Sequence, residues 1–474
     1  MNSEINTDVV IVGAGSAGLY ALREVRRARK SFILIDTGPL GTTCARVGCM
    51  PSKVALHAAK LWAGCNKLSQ IGVTGTDVLS IDLSATWSAL RAQRDKFSHS
   101  AATKARNAAG EHLIIGAARF LEPTLIEVDS INGKQTIRAS SVVIATGSRP
   151  VVPAWLEPVK NRMVTTDDFF ELSALPERVG ILGLGAIGLE MGAALSRLGV
   201  EVIGADLAST VAGITDPVIA KQATAYFGSE MTLWLGAPVS VERTEKGVLV
   251  RSGDNQAEVD LILSALGRRP NVDMLGLAEA GFPIGERGMP VFDTRTLQIG
   301  HLPVFIAGDA NGFRPLMHEA ADEGAIAGFN AVQETVTRFR RKVAVGIAFT
   351  DPDICSVGAR FDELHLEHVV IGSASGEANG RAKILGAESS LLRVYADARD
   401  GQLLGASILA DGGEHLAHLL AWAIQRGETA TSLLELPFYH PVMEEMLQTA
   451  LQEIAKKVTM PGGVPLGLVA DEFS

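Results

Sequence analysis

The residues of this chain best suited to chemistry are two cysteines, Cys44 and Cys49, separated by four residues. Such a pair could be two inert buried thiols, half of a metal site or a redox-active disulfide. Zinc would require two further ligands, and the other cysteines, Cys65 and Cys355, stand alone. Pro51 suits the first turn of a helix, so Cys49 is expected near a helix N-terminus, where a thiolate is stabilised and its pKa lowered. The pattern favours the redox disulfide.

Thiol–disulfide exchange also needs a proton acceptor, and histidine suits that role near pH 7. Among ten histidines, His440 is one candidate, because Pro441 makes a rigid turn and Glu445 can orient the imidazole from the following helix. Taken alone, a His-Pro pair more often marks a turn than a base. His415 and His418 look like a fragment of a metal site, but without a third ligand they are more simply one turn of a helix.

These side chains need a scaffold, and the chain begins with a nucleotide-binding pattern. An apolar run is followed by Gly13, Gly15 and Gly18 and then by good helix formers, and the next apolar run ends at Asp36. In this fingerprint the glycines allow a tight turn, a close approach of the pyrophosphate and helix–strand packing. The pyrophosphate is expected at the helix N-terminus, and the acid can accept hydrogen bonds from ribose hydroxyls.

The same unit occurs a second time, with Gly183, Gly185 and Gly188 before a helix and Asp206 at the end of the next strand. One such motif could be a plain glycine-rich turn, but in both copies the acid follows the third glycine by 18 residues. We therefore expect two dinucleotides. A carboxylate at position 206 favours NAD, because it accepts from the ribose hydroxyls and repels the 2′-phosphate of NADP. Residues 207–213 contain no arginine that could receive this phosphate.

A flavin is the expected intermediary between the nicotinamide and the disulfide. Nicotinamide transfers a hydride, a disulfide accepts two electrons through thiolate attack, and a flavin can do both. The N-terminal unit, which carries the cysteines, should therefore hold FAD. The unit at Gly183 should hold the nicotinamide cofactor.

Further apolar strands end at Gly147 and Gly267, each with a proline three residues later, and another buried strand ends at Asp309. From about residue 347, strand-like runs precede helices expected at Glu414–Gln425 and Pro441–Lys456, and no nucleotide motif follows. These patterns predict an α/β protein with two nucleotide-binding domains and a third, α+β domain.

In chain order, the motifs at Gly13, Cys44–Cys49, Thr146, Gly183, Asp309 and His440 resemble those of the flavin-dependent pyridine nucleotide-disulfide oxidoreductases. This family includes dihydrolipoamide dehydrogenase, glutathione reductase and mercuric reductase, and the resemblance spans nearly the whole chain. One departure is Thr42, where the family usually has a second glycine, which concerns the loop geometry but not the chemistry. The resemblance implies two Rossmann-like domains and a C-terminal dimerisation domain. The expected domains are residues 1–150 and 275–345 for FAD, 151–274 for NAD and 346–474 for the subunit interface.

The resemblance also implies a role for each reactive side chain. Cys49 would be the thiolate that faces the flavin, and Cys44 would exchange with the substrate. Lys53 and Glu190 would form an ion pair beside the flavin N5 region. His440, with Glu445, would act on the disulfide of the other subunit, so the chain is expected to be a homodimer with shared active sites.

The predicted cofactor contacts follow from the nucleotide motifs and from the resemblance, and no metal site is expected. For FAD they are Gly13, Gly15, Ser16, Gly18, Asp36, Thr43, Lys53, Ala118, Thr146, Gly147, Asp309 and residues 316–318, among them Leu316 and Met317. For NAD they are Gly183, Gly185, Ile187, Gly188, Asp206 and Gly267.

The function favoured by this sequence is electron transfer between dihydrolipoamide, free or on a lipoyl-bearing protein, and NAD. Asp206 disfavours glutathione reductase, which uses NADPH, and the absence of a cysteine pair near Ser474 disfavours mercuric reductase. A reductase of another disulfide, a quinone or a metal ion that uses NAD(P)H is the alternative. A flavoprotein whose main role is binding within a 2-oxo acid dehydrogenase assembly is a third hypothesis, which the intact cysteine pair disfavours.

The composition excludes several other classes of protein. Of the 474 residues, 47% are hydrophobic and 20% charged, which is typical of a folded globular chain. The net charge of −10 disfavours nucleic acid as a main partner. No apolar run reaches the roughly 18–20 residues of a membrane span, and the short acidic start does not match a signal peptide. We expect a cytoplasmic protein.

Overall fold

The computed structural model describes residues 4–65, 67–458 and 464–470. Its first sheet contains β1 (Ile5–Val12), β2 (Phe32–Asp36), β3 (Leu113–Glu122), β4 (Leu125–Ser130), β5 (Gly133–Ile144) and β16 (Val304–Ile306). The parallel part has the order β3-β2-β1-β5-β16, and β4 pairs antiparallel with both β3 and β5. Because β1 is central and covered on both faces, residues 9–12 are all buried.

Two helices, α1 (Ser16–Arg27) and α8 (Met317–Asn330), pack against each other and share a hydrophobic cluster with β1. Glycines on α8 permit this close contact. A Cβ at Gly324 would lie 2.1 Å from the carbonyl oxygen of Ala17, and one at Gly328 would lie 2.5 Å from that of Ala21. Neither position has room for a side chain, so these two glycines fix the distance between the helices.

The helices that follow β2 are α2 (Thr43–Arg46), α3 (Cys49–Cys65) and α4 (Leu83–Ala109). They connect the first sheet to the next part of the chain. Trp87 of α4 is buried, its indole nitrogen donates to the carbonyl of Leu172 at 2.9 Å, and its ring contacts those of Phe169 and Phe170.

The second nucleotide unit forms a parallel sheet in the order β10-β9-β8-β14-β7. Its strands are β7 (Met163–Thr165), β8 (Arg178–Leu182), β9 (Glu201–Asp206), β10 (Thr232–Leu235) and β14 (Leu261–Ser264). Its helices are α5 (Thr166–Phe169), α6 (Ala186–Arg197) and α7 (Pro217–Glu230). A small antiparallel sheet of β11 (Val239–Arg243), β12 (Val248–Ser252) and β13 (Asn255–Val259) shares its core.

Two short strands, β6 (Ser148–Pro150) and β15 (Arg268–Pro270), pair antiparallel with each other. We call this pair the linker ribbon. Each of its strands follows a strand of a different nucleotide-binding sheet, β5 in one case and β14 in the other.

The C-terminal part is an antiparallel sheet in the order β17-β18-β21-β20-β19. Its strands are β17 (Val345–Ala348), β18 (Asp353–Gly358), β19 (Val369–Ser375), β20 (Leu391–Asp397) and β21 (Leu403–Ala410). Its helices are α9 (Gly380–Leu385), α10 (Gly413–Arg426), α11 (Ala430–Leu434) and α12 (Glu445–Val458). The predicted fold class is confirmed, whereas the domain boundaries stay predictions. None of the described helices is long and apolar enough to cross a membrane.

One predicted helix boundary is wrong. The helix expected from Pro441 begins only at Glu445, because residues 441–444 form a turn. The backbone N–H of Val442 in this turn donates to the Glu445 carboxylate at 3.1 Å. The turn places His440 before the helix, and the helix supplies Glu445 as its first residue.

Candidate active site

The two cysteines lie on consecutive helices. Cys44 is in α2 and Cys49 is the first residue of α3, as the sequence predicts. Thr42 caps α2, because its Oγ1 accepts a hydrogen bond from the N–H of Ala45 at 3.2 Å. Its backbone, with φ 59° and ψ 147°, is one that β-branched residues rarely adopt. The loop therefore takes a glycine-type conformation at Thr42, and the cap offsets part of the strain.

The two thiols are free and differ in acidity. The pKa of Cys49 is lowered to about 7, chiefly by a hydrogen bond from the Cys44 thiol and also by the charge of Lys53, which outweigh the opposite effect of burial. The pKa of Cys44 is raised, because its hydrogen bond to Cys49 and its burial both favour the thiol. Cys49 therefore ionises first, and Cys44 keeps its proton until a base removes it.

Lys53 lies one turn beyond Cys49 on α3 and pairs with Glu190 on α6. Its Nζ is 2.8 Å from both carboxylate oxygens. The N–H of Phe349, after β17, donates to Glu190 Oε1 at 3.0 Å, and the Phe349 ring centroid is 4.7 Å from Lys53 Nζ. Because Glu190 is buried, this pair joins α3, α6 and the C-terminal part at a fixed point beside the cysteines.

Replacing Lys53 with methionine is expected to raise the pKa of Cys49, because it removes a positive charge that favours the thiolate. A rise of about one unit would reduce the thiolate fraction at pH 7 several-fold. The measurement is a pH titration of the ultraviolet thiolate absorbance of the reduced protein. Lys53→Arg keeps the charge and should leave the midpoint near pH 7. An unchanged midpoint in Lys53→Met would contradict this role.

The first glycine turn has the shape required by a phosphate group. Gly13 has φ +111°, and a Cβ there would lie 2.2 Å from the carbonyl oxygen of Ala145. A Cβ at Gly18 would lie 1.8 Å from the Gly13 oxygen, whereas one at Gly15 would meet nothing within 4 Å. Helix α1 begins at Ser16 without a side-chain cap. Open space beside uncapped amides fits the pyrophosphate of FAD.

The second turn repeats this geometry. Gly183 has φ +91°, and a Cβ there would lie 2.5 Å from the oxygen of Ala265. One at Gly188 would lie 1.9 Å from the Gly183 oxygen, and one at Gly185 would meet nothing within 4 Å. Helix α6 also begins without a side-chain cap, and Ile187 in its first turn is 43% exposed. This turn fits the pyrophosphate of a second dinucleotide.

The two strand-end acids have matching hydrogen bonds that the sequence did not reveal. Asp36 Oδ2 accepts from the N–H of Ala14 at 2.7 Å, and Asp206 Oδ2 accepts from that of Leu184 at 2.6 Å. The Oδ1 atoms accept from the N–H groups two residues further on, at 2.6 and 2.8 Å. Each acid therefore fastens its own glycine turn, and its remaining lone pairs are available to ribose hydroxyls.

The predicted flavin contacts late in the chain are close to the linker ribbon. Asp309 lies in the helical turn Gly308–Asn311, directly after β16, and Ser148 Oγ donates to its Oδ2 at 2.7 Å. Thr146 Oγ1 donates to the carbonyl oxygen of Asn271 at 2.7 Å. Leu316 and Met317 are 41% and 44% exposed at the start of α8. The remaining predicted flavin contacts lie on β3 for Ala118, at the start of α2 for Thr43, and in a turn of positive φ for Gly147. Gly267, predicted for NAD, also lies in a turn of positive φ.

His440 forms the predicted pair with Glu445, and its side chain is 78% exposed. The distance from His440 Nδ1 to Glu445 Oε1 is 2.9 Å, and this hydrogen bond is the main reason that the pKa of Glu445 is lowered. Across residues 4–65, 67–458 and 464–470, His440 makes no hydrogen bond to a cysteine of its own chain. The imidazole is thus oriented by Glu445, and its Nε2 side is open to another molecule.

Sequence reasoning missed Phe349, Ser148 and Glu323 as parts of this site. Glu323 is fully buried and accepts from the N–H of Gly308 at 2.7 Å and from Asn311 Nδ2 at 2.6 Å. No local pattern marks these residues, because each acts on a segment distant in the sequence. The isolated cysteines have no part in the site: Cys355 is buried in β18, and Cys65 ends α3.

Two nucleotide-binding turns, a thiol pair beside a lysine–glutamate pair and a C-terminal α+β domain define a flavin-linked disulfide oxidoreductase fold. Sequence profiles agree: the profile "Pyridine nucleotide-disulphide oxidoreductase" matches residues 7–324, and its dimerisation-domain profile matches residues 344–451. The chain belongs to this family, as predicted, and is an oxidoreductase. The family uses FAD and NAD(P), and the chain contains the family's dimerisation domain.

Individual relatives are distant but cover almost the whole chain. The dihydrolipoyl dehydrogenase of Vibrio cholerae is 28% identical, over 97% of this chain and 98% of its own. That of Staphylococcus aureus is 27% identical, over 95% and 97%. The LpdA structure from Mycobacterium tuberculosis has a TM-score of 0.83 at 24% identity, covering 94% of this chain and 99% of its own. The HOCl-induced flavoprotein disulfide reductase RclA from Escherichia coli, in its Cu(II) complex, has a TM-score of 0.82 at 23% identity, with the same coverage.

Proposed function

We propose that this protein transfers electrons between dihydrolipoamide and NAD through the Cys44–Cys49 pair and FAD. The observation that carries the proposal is the thiol pair formed by Cys44 on α2 and Cys49 at the start of α3, beside the Lys53–Glu190 ion pair. The pKa of Cys49 is lowered to about 7, and that of Cys44 is raised. The dihydrolipoyl dehydrogenases among its relatives support this choice of substrate. We also propose a cytoplasmic location, because four cysteines in 474 residues do not form the disulfide framework typical of secreted proteins.

In dihydrolipoamide oxidation, a substrate thiolate attacks Cys44 Sγ of the oxidised pair, and Cys49 leaves as a thiolate. A thiol of lowered pKa is the better leaving group, so the asymmetry of the pair directs the attack to Cys44. The second substrate sulfur then attacks the first, the mixed disulfide breaks, and Cys44 leaves and takes up a proton. The substrate has lost two electrons and the cysteine pair has gained them. FAD, when bound, supplies the conversion of this electron pair into hydride transfer with NAD.

His440 is the proposed proton carrier of this exchange. It accepts the proton of the attacking substrate thiol, and Glu445 orients the ring and stabilises the imidazolium. Because His440 is exposed and unconnected to its own cysteines across the described residues, we propose that it serves the Cys44 of a second copy. The proposed assembly is a homodimer in which each active site takes residues from both subunits.

For the nucleotide, we propose NAD as the preferred partner and Asp206 as the determinant. Replacing Asp206 with asparagine should raise the KM for NADH by about tenfold, because one ionic hydrogen-bond acceptor for the ribose is lost. The KM for NADPH should change little, so the preference for NADH over NADPH becomes smaller. Glu201→Gln, at the exposed opposite end of the same strand, is the matched control. If the ratio of the KM values for NADH and NADPH stayed unchanged, Asp206 would serve only to hold its own glycine turn.

The proposed function is tested by anaerobic titration of the purified flavoprotein with NADH, followed by steady-state rates with dihydrolipoamide and NAD. We expect bound FAD, two-electron reduction and a long-wavelength band from the thiolate next to the flavin. Turnover with dihydrolipoamide should exceed that with glutathione disulfide or Hg²⁺ by orders of magnitude. Negligible turnover with dihydrolipoamide would refute the substrate, and a colourless protein that refuses FAD would refute the whole scheme.

A further inference from the structure

The two glycine-ended strands that resemble each other in the sequence meet in the linker ribbon. Gly147 and Gly267 turn the chain with φ +68° and +98°, and the strands after them pair with Arg268 opposite Pro150 and Arg269 opposite Arg149. One strand of the ribbon continues from the FAD-type sheet and the other from the NAD-type sheet. The ribbon therefore brings side chains of the NAD-type unit into contact with the FAD-type unit.

Arg268 is the side chain that reaches across. Its Nε donates to Ser148 Oγ at 2.8 Å and its Nη2 to the Ser148 carbonyl at 2.8 Å. Its Nη1 donates to Asp167 Oδ1, on α5, at 2.8 Å. The side chain is 18% exposed, and four hydrogen bonds, to Ser148, Asp167 and Thr166, hold the guanidinium in one orientation.

Ser148 connects Arg268 to Asp309 through hydrogen bonds of its hydroxyl group. A serine hydroxyl has a single proton, and because Arg268 donates to Ser148 Oγ, that proton is directed elsewhere. It is donated to Asp309 Oδ2 at 2.7 Å. The hydroxyl is thus polarised by a cation on one side and bonded to a carboxylate on the other, an arrangement that strengthens both hydrogen bonds.

The backbone of the Asp309 turn is held separately. Buried Glu323 accepts from Gly308 N–H and from Asn311 Nδ2, and Arg341 Nη2 pairs with Glu323 at 2.7 Å. Loss of the Ser148 bond would therefore free the Asp309 carboxylate without unfolding its turn. The two supports have distinct tasks: Glu323 fixes the main chain and Ser148 fixes the side chain.

We propose that Ser148 and Arg268 are positioning residues that aim the Asp309 carboxylate at bound FAD. This inference rests on the proposed function for the FAD site, but not on the identity of the disulfide substrate. Under this proposal, flavin binding depends on Arg268, which lies on β15, the strand that follows the NAD-type sheet. Arg268 is also bonded to Asp167 of α5, so the position of α5 is transmitted to Asp309 through three hydrogen bonds in series.

The test measures FAD retention of the holoenzyme by equilibrium dialysis, together with the visible flavin spectrum and the flavin midpoint potential. Ser148→Ala should weaken FAD binding about tenfold, the loss of a hydrogen bond to a charged group, and should shift the potential. Arg268→Met should act in the same direction. Ser148→Thr, which keeps the hydroxyl, should restore binding to within about twofold of the parent.

Arg149→Met is the matched control, because Arg149 lies on the same ribbon but bonds Asp273 at 2.5 Å and Asn271 at 2.9 Å instead of Ser148. It should leave FAD retention and potential unchanged. If Ser148→Ala bound FAD like the parent, or if Arg149→Met weakened binding equally, the inference would be wrong. A parent protein that binds FAD but ignores dihydrolipoamide would refute the proposed substrate and leave this inference standing.

Discussion

Replacing Cys44 with serine is expected to abolish turnover of any disulfide substrate, by about 10⁴-fold or more. The physical reason is that the serine hydroxyl cannot form the mixed disulfide or take up the electron pair at this position. FAD should remain bound, because the cysteine pair lies outside both glycine turns. The measurements are steady-state rates with dihydrolipoamide and NAD, and the absorption spectrum of the variant.

This variant also reports on Cys49. The serine hydroxyl can still donate a hydrogen bond to Cys49, and Lys53 stays nearby, so Cys49 should remain a thiolate near neutral pH and give the long-wavelength band. Cys65→Ser is the matched control, since Cys65 ends the same helix α3 and takes no part in the proposed exchange. Substantial disulfide turnover in Cys44→Ser would show that the exchange thiol has been assigned wrongly.

Replacing His440 with glutamine should reduce dihydrolipoamide turnover at pH 7 by roughly 10²–10⁴-fold, the usual contribution of a positioned acid–base group. Part of the loss should be recovered at higher pH, where the substrate thiol ionises without help. Glu445→Gln should cost less, about tenfold, because it leaves the base in place but less well oriented. His418→Gln is the control: His418 is exposed, and its Nδ1 bonds the Glu414 carbonyl oxygen at 2.7 Å.

A mixture of the two inactive variants tests whether the sites are shared. Random exchange of Cys44→Ser and His440→Gln subunits makes about half of the dimers mixed, and each mixed dimer would contain one intact site. About one quarter of the parent activity should therefore return. If His440 served the cysteines of its own chain, the mixture would stay inactive, which would disprove the shared site without disproving the role of either residue.

The parts of the site that the sequence predicted are those in which sterics act locally. At the first and third glycine of each turn, the Cβ of any other residue would collide with a carbonyl oxygen. The spacing of these glycines can be recognised in the sequence alone, and both turns were predicted in this way. Cys49 was correctly placed at a helix start for the same reason, since Pro51 marks the first turn. The pairing of Lys53 with Glu190 came only from the family resemblance, because the two residues are 137 positions apart.

The missed features are long-range hydrogen bonds and one helix start. Ser148 and Asp309 are separated by 161 residues, and no periodicity connects them. The start of α12 was placed too early at Pro441, because proline at a first helical position is common and the apolar pattern continues through the turn. The boundary is set by Glu445, the first residue of the helix. Its carboxylate accepts a hydrogen bond from the N–H of Val442 in the preceding turn.

The glycines of α8 connect cofactor affinity to a contact that touches no cofactor. The helix begins at Met317, at the predicted flavin edge, and its middle presses Gly324 and Gly328 against the backbone of α1. Helix α1 in turn begins at the uncapped amides beside Gly15. Even a single methyl group at position 324 would push those amides out of register with a bound diphosphate. A mutation there would therefore be recognised first as loss of yellow colour, although the added atom would meet the backbone of Ala17.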